Sequence, residues 1–199
     1  TDKLFIKRFE EERNLTVHII IDSSGSKNFG SGRTTKATYS SRLGIGFAYI
    51  AMKNNERFMM STFADKLISY PPRRGRKQLA SMLDVMSKKS SQGVTAFEKT
   101  LTQYLKLINS RSYVVIISDF LSDLSQIRNV LYKFKKHNVV LIQILDPVEK
   151  DMPLNGDYKL QDLETKELLK TYIAPNFRKK YLTELAKHNK LDPVIGRDQ

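Results

Sequence analysis

The stretch LTVHIIIDSSGSKNFGSGRTTK, residues 15–36, decides how the chain is read. Its first eight residues form a short, β-branched, nearly continuous apolar run, as expected of a strand covered on both faces. At Asp22 the run gives way to serines and glycines, a change that building a core does not require. Ligands of open α/β sheets gather outside the carboxyl ends of the strands, so the residues after Asp22 stand where a site is expected. A helical stretch follows at roughly 36–53, with Leu43, Phe47, Ile50 and Ala51 on one face. Gly44 and Gly46 within it cost helix stability and suggest a close backbone approach.

Outward from this stretch, strand and helix signals alternate. RFMMSTFA (57–64) and KLISY (66–70) are predicted as paired strands, and KQLASMLDVMSKK (77–89) as an amphipathic helix. A second small-residue loop, SSQGVT (90–95), leads into a helix at 96–108. SYVVIISD (112–119) and NVVLIQILD (138–146) read as two further buried strands, with a helix at 124–137 between them. A hairpin around 158–172 and a helix across 176–189 complete the pattern. The expectation is one α/β domain over residues 1–199, a doubly wound, mainly parallel sheet flanked by helices. Its core spans about 15–147, and residues 148–199 form a C-terminal extension with a small hairpin and helix. The first residue is not Met and falls inside what reads as a strand, so the chain is read as a piece of a longer protein.

The composition excludes several classes. With no cysteine, disulfides, zinc–thiolate sites and cysteine nucleophiles are ruled out. No apolar run approaches the roughly 20 residues of a membrane span, and charges interrupt the opening residues too often for a secretory signal. A net charge of +13 attracts nucleic acid, anionic lipid or acidic protein. The excess is spread along the chain without interleaved aromatics, which argues for solvated faces and against base stacking.

Asp22, Asp119 and Asp146 each close a strand, and a lone Asp there is commonly a cap or turn residue. Asp22 differs because Ser24 and Ser26 follow at alternate positions, so an extended loop would aim the three side chains at one point. Gly25 would let the backbone bend around it. Hydroxyls and carboxylates without His or Cys make a hard-oxygen set suited to Mg2+, with Mn2+ or Ca2+ as the alternatives.

These residues resemble a known family. Asp22-x-Ser24-x-Ser26 after the first strand, Thr95 in QGVT and Ser118-Asp119 are similar to the metal-ion-dependent adhesion site of von Willebrand factor A domains. The segments KLFIKRFEEERNLTVHIIIDSSGSKNFGS, YPPRRGR, ISDF and ILDPVEKDMPLNGDYKLQDLET resemble, in order, the bacterial family called domain of unknown function fifty-eight. Proteins of that family are typically encoded beside MoxR-type AAA+ ATPases. The resemblance implies Asp22, Ser24 and Ser26 as first-loop metal ligands, Thr95 as the second-loop ligand, and Asp119 as the third-loop ligand or holder of a coordinated water. It also implies that a partner's acidic residue completes the ion. Val94 and Ala96 depart from the Gly-Gly-Thr-Asp often found around that threonine.

The function expected is therefore metal-dependent protein binding, working with a MoxR-type ATPase in chaperone-like assembly or activation. The location implied is cytoplasmic, or the cytoplasmic part of a protein anchored to a membrane upstream. PPRRGR, with Arg73, Arg74 and Arg76, is either a basic rim for an acidic partner or a proline-fixed turn with solvated arginines. GSGRTTK (30–36) matches neither a Walker loop nor the dinucleotide fingerprint. No nucleophile–base pair stands out, and His18, His137 and His188 lie in structural contexts, so the chain is read as a non-enzyme. The rival readings are a basic nucleic-acid or anionic-membrane binder and a metal-dependent phosphohydrolase. The tail LDPVIGRDQ (191–199) receives no function.

Overall fold

The computed structural model describes residues 15–87 and 96–189. Its sheet carries five strands: β1 (Thr16–Asp22), β2 (Arg57–Phe63), β3 (Leu67–Ser69), β4 (Tyr113–Ser118) and β5 (Asn138–Gln143). Their order is β3-β2-β1-β4-β5. All pairings are parallel except β2 with β3, which forms the antiparallel edge hairpin. This is the mainly parallel sheet that the sequence predicts.

β1 sits at the centre, and Ile19, Ile20 and Ile21 are buried to 2% exposure or less. Burying each such side chain contributes on the order of 1.5–3 kcal/mol. Successive strand residues face opposite sides. Ile19 and Ile21 approach Gly44 of helix α1 (Lys36–Lys53), while His18, on the other face, meets Tyr104 of helix α3 (Phe97–Leu105). Helix α2 (Arg76–Ser87) packs beside α1, and α4 (Leu124–Lys133) beside α3. Helices therefore cover both faces, and the central apolar cluster draws on residues between Ile19 and Ile144. Among the described residues, no helix is long and apolar enough to cross a membrane.

Three expectations change. β5 is not buried like β1 and β4, because it is the edge strand; Val140 and Leu141 are exposed. The face that α1 buries is built from small residues, Ser40, Gly44, Ala48 and Ala51. Leu43 and Phe47 flank it half-buried, and Ile50 is exposed. Small residues let the helix lie close on β1: a Cβ built on Gly44 would stand 2.6 Å from Ile21 Cδ1. Gly46 meets nothing within 4 Å and serves no such approach. The third is that helices α3 and α4 each end a few residues earlier than their periodicity suggests.

The two glycines are expected to respond oppositely to alanine. Gly46→Ala should stabilise the fold by about 0.5–1 kcal/mol, the usual helix-propensity gain. Gly44→Ala should destabilise it, because overpacking of about 1–3 kcal/mol outweighs that gain. Urea unfolding midpoints check both, and a gain at both positions would contradict the close packing of α1 on β1.

After β5 comes a short helix, α5 (Pro147–Asp151), then the hairpin β6 (Gly156–Gln161) with β7 (Leu168–Ile173), and helix α6 (Pro175–Asn189). The hairpin forms a separate two-stranded sheet. Its turn reaches the loop after β1: a Cβ on Gly25 would lie 2.8 Å from the Leu163 carbonyl oxygen. Gly25 is thus required by a neighbouring chain segment and not only by local bending.

Candidate functional site

Asp22 ends β1, and Ser118 and Asp119 end β4, the adjacent parallel strand. The strand order turns back on itself here, since β2 lies on one side of β1 and β4 on the other. That is where an open α/β sheet places a ligand. The loop after β1 is pinned to the end of β2, because the Ser23 backbone N–H and Oγ both donate to the Phe63 carbonyl (2.8 and 3.1 Å). It then winds into a 3-10 turn over Gly25–Asn28.

Within this frame Asp22 Oδ1 accepts from the Ser24 backbone N–H at 3.0 Å, and Asp22 Oδ2 from Ser118 Oγ at 2.7 Å. The hydroxyls of Ser24 and Ser26 are 3.0 Å apart. Asp119 joins from β4, so the fold brings Asp22, Ser24, Ser26 and Asp119 together, through a 3-10 turn and not the extended loop expected. Asp22, Ser24 and Asp119 are buried, at 5% exposure or less. Thr95, with the rest of the 90–95 loop, lies outside the described residues, as do residues 1–14 and the tail.

Lysines hold the middle of the cluster. Lys27 Nζ lies 3.0 Å from Asp22 Oδ2, 2.7 Å from Asp119 Oδ2 and 3.1 Å from Ser26 Oγ. The residue is 1% exposed. Lys36 Nζ lies 3.0 Å from Asp119 Oδ2 and 2.6 Å from Glu149 Oε1. Burial alone would lower the Lys27 pKa, but the carboxylates of Asp22 and Asp119 outweigh it and raise it above the ordinary lysine value. Burial likewise pushes Asp119 up, and Lys27 with Lys36 prevail and hold it below the ordinary carboxylate value.

Lys36 is the first residue of α1, where the positive end of the helix dipole disfavours a cation. Its carboxylate partners hold it there against that field. Glu149 is fixed by a capping box at the start of α5: its Oε2 accepts from the Asp146 backbone N–H (3.0 Å) while Asp146 Oδ1 accepts from Val148 N–H (2.9 Å). Asp146 Oδ2 also accepts from Ser31 N–H at 2.8 Å, tying the serine-glycine loop to the end of β5.

Strain gathers at the same place. Phe120, next to Asp119, has φ of 52°, left-handed for a bulky residue, a conformation that persists only where its surroundings enforce it. Its N–H donates to Ser118 Oγ at 3.2 Å, and its ring packs edge-on against Phe97.

The oxygen-only donor set has the chemistry of a magnesium, manganese or calcium site. With Lys27 in place, however, the donors do not fit such an ion. Both carboxylates and Ser26 are already engaged by one ammonium.

Arg73, Arg74 and Arg76 are not brought to this cluster. The Arg73 backbone pairs with Phe58 at the opposite end of β2, away from Phe63, the residue beside Asp22. Lys27, Lys36 and Glu149 are the site residues that sequence reasoning missed. The lysine directly after Ser26 was the available signal for the first, and the Asp-Pro-x-Glu capping pattern at 146–149 for the last.

Residues 1–191 match the family described as Protein of unknown function DUF58. An uncharacterized protein of Mycobacterium tuberculosis, Rv1480, is 24% identical over 187 residues, covering 92% of this chain and 59% of the relative. The chain thus spans about six-tenths of the length of such relatives. Among solved structures, an aerotolerance-related membrane protein from Bacteroides fragilis superposes with a TM-score of 0.58 at 16% identity, covering 85% of this chain and 87% of its own. BatB of Bacteroides thetaiotaomicron gives 0.56 at 17% identity, with 88% and 87% covered. At such identities the likeness concerns the fold alone.

Proposed function

The chain belongs to the family described as Protein of unknown function DUF58, and from that membership we propose that it is a non-catalytic protein-binding module acting through the carboxyl edge of its sheet. The observation that carries this reading is the convergence of Asp22, Ser24, Ser26 and Asp119 at that edge, with exposed basic residues in the segments that follow the strands. Arg33 and Lys66, in the loops after β1 and β2, and Lys150, in α5, are exposed. Such residues on a chain of net charge +13 suit an acidic protein surface and speed encounter with it. Carboxylates each held by a lysine are poor general bases, which supports binding over hydrolysis.

The partner is a MoxR-type AAA+ ATPase, and the role is chaperone-like assembly or activation of other proteins. The location is cytoplasmic, or the cytoplasmic part of a membrane-anchored protein. An ion completed by a partner's carboxylate would need the centre of the cluster vacated, so no step of this reading passes through a metal.

The test is binding of the purified chain to the MoxR-type ATPase of the same organism, measured by interferometry. Reversing these charges with Arg33→Glu, Lys66→Glu and Lys150→Glu should weaken binding about tenfold or more, as like charges replace complementary ones. The same change at Arg73, Arg74 and Arg76 should leave it nearly unaltered. The opposite pattern would move the interface to the other end of the sheet, and no binding by the unaltered chain would end the proposal.

A further inference from the structure

We propose that the Lys27 ammonium is the resident cation of this site, standing where a divalent ion would otherwise be held, so that the cluster assembles and works without metal. Its nitrogen lies within 3.1 Å of Asp22 Oδ2, Asp119 Oδ2 and Ser26 Oγ. Those three residues are among the ligands that the sequence predicts for an ion. A lysine ammonium has three N–H donors and no acceptor, so these three oxygens saturate it.

Lys27 follows Ser26 directly, and the 3-10 turn over Gly25–Asn28 carries its side chain back toward the end of β1. An ion placed among the same oxygens would lie beside the ammonium, a like-charge contact that burial makes more costly. Swinging Lys27 out would leave Asp22 and Asp119 facing one another, with Lys36 alone to balance them. The proposal concerns the same site as the acidic-partner reading and goes beyond it. A saturated ammonium has no open position for a partner's carboxylate, so recognition falls to the exposed basic residues.

The test uses the whole chain with manganese as the probe. Uptake is read from loss of the free-ion electron paramagnetic resonance signal. Melting is recorded in millimolar manganese, magnesium or chelator. The unaltered chain is expected to leave the manganese signal unchanged and to melt at one temperature in all three. Lys27→Met keeps the aliphatic stem and removes the charge; it is expected to take up manganese stoichiometrically and to melt several degrees higher with it. Should that variant fail to fold, Lys27→Gln takes its place, and the measurements on the unaltered chain decide independently of either. Stoichiometric uptake by the unaltered chain, or a fall in its melting temperature with chelator, overturns the proposal. A folded variant that takes up no manganese also overturns it. No partner takes part, so failure here leaves the acidic-partner reading standing.

Discussion

Asp119→Ala is expected to lower the stability of the chain by about 3–5 kcal/mol, the usual result of removing one partner from a buried ion cluster. Asp119 Oδ2 receives both Lys27 and Lys36, whose side chains are each 2% exposed. Alanine removes a negative charge shared by two buried cations. Lys27 retains Asp22, and Lys36 retains Glu149, so the cluster is weakened at its centre and not dissolved. For a chain of this length the loss corresponds to a fall of roughly 10 °C or more in melting temperature. Asp119→Asn keeps the shape and one acceptor oxygen and should fall in the same direction. Denaturant unfolding at neutral pH measures both variants. A change below about 1 kcal/mol, the level of an exposed ion pair, would mean that the two ammonium groups are not held as described.

The second large effect is on acid stability. His18 lies on β1 with Nδ1 2.9 Å from the Tyr104 hydroxyl. Burial, with a smaller contribution from His137, pulls its pKa from 6.5 down to about 4. Between those values the unfolded chain takes up a proton that the folded chain refuses. Stability therefore declines as pH falls from about 6.5 to about 4, by up to about 3 kcal/mol. Asp119 acts in the same direction at lower pH. Its depressed pKa gives stability that is present above the ordinary carboxylate value and lost as pH falls through the folded value. Urea unfolding at pH 7 and pH 4.5 should show the decline. His18→Gln should remove most of it, leaving the shallower contribution of His137, whose pKa burial and Lys136 also lower. Equal slopes in the two proteins would place the titrating group elsewhere.

The alternation of buried strand and amphipathic helix was legible from residues 15–146, because fully covered strands must be apolar on both faces. The status of β5 was not legible. Its composition matches that of β4, and only the order of strands makes it an edge. The packing of α1 was misread for a related reason: large apolar residues mark a face by periodicity, whereas closeness to β1 selects Ser40, Gly44 and Ala48. At the site, alternate Asp22, Ser24 and Ser26 pointed to one convergence. Lys27 and Lys36 were hidden because a lysine in sequence reads as a solvated charge. Nothing local says that two strands will present carboxylates to it. Arg73, Arg74 and Arg76 illustrate the converse, since a visible basic run carries no information about which end of the sheet it occupies.

The bridge from Lys36 to Glu149 spans 113 positions of sequence, and the Leu163 carbonyl that seats Gly25 lies further on still. On the ribosome, a chain that has emerged only through β5 already possesses every strand of the main sheet. It presents Lys27, Lys36 and Asp119, while Glu149 and the hairpin are still within the exit tunnel. The charged centre is therefore completed after the sheet that carries it, by the segment that looks most like an appendage.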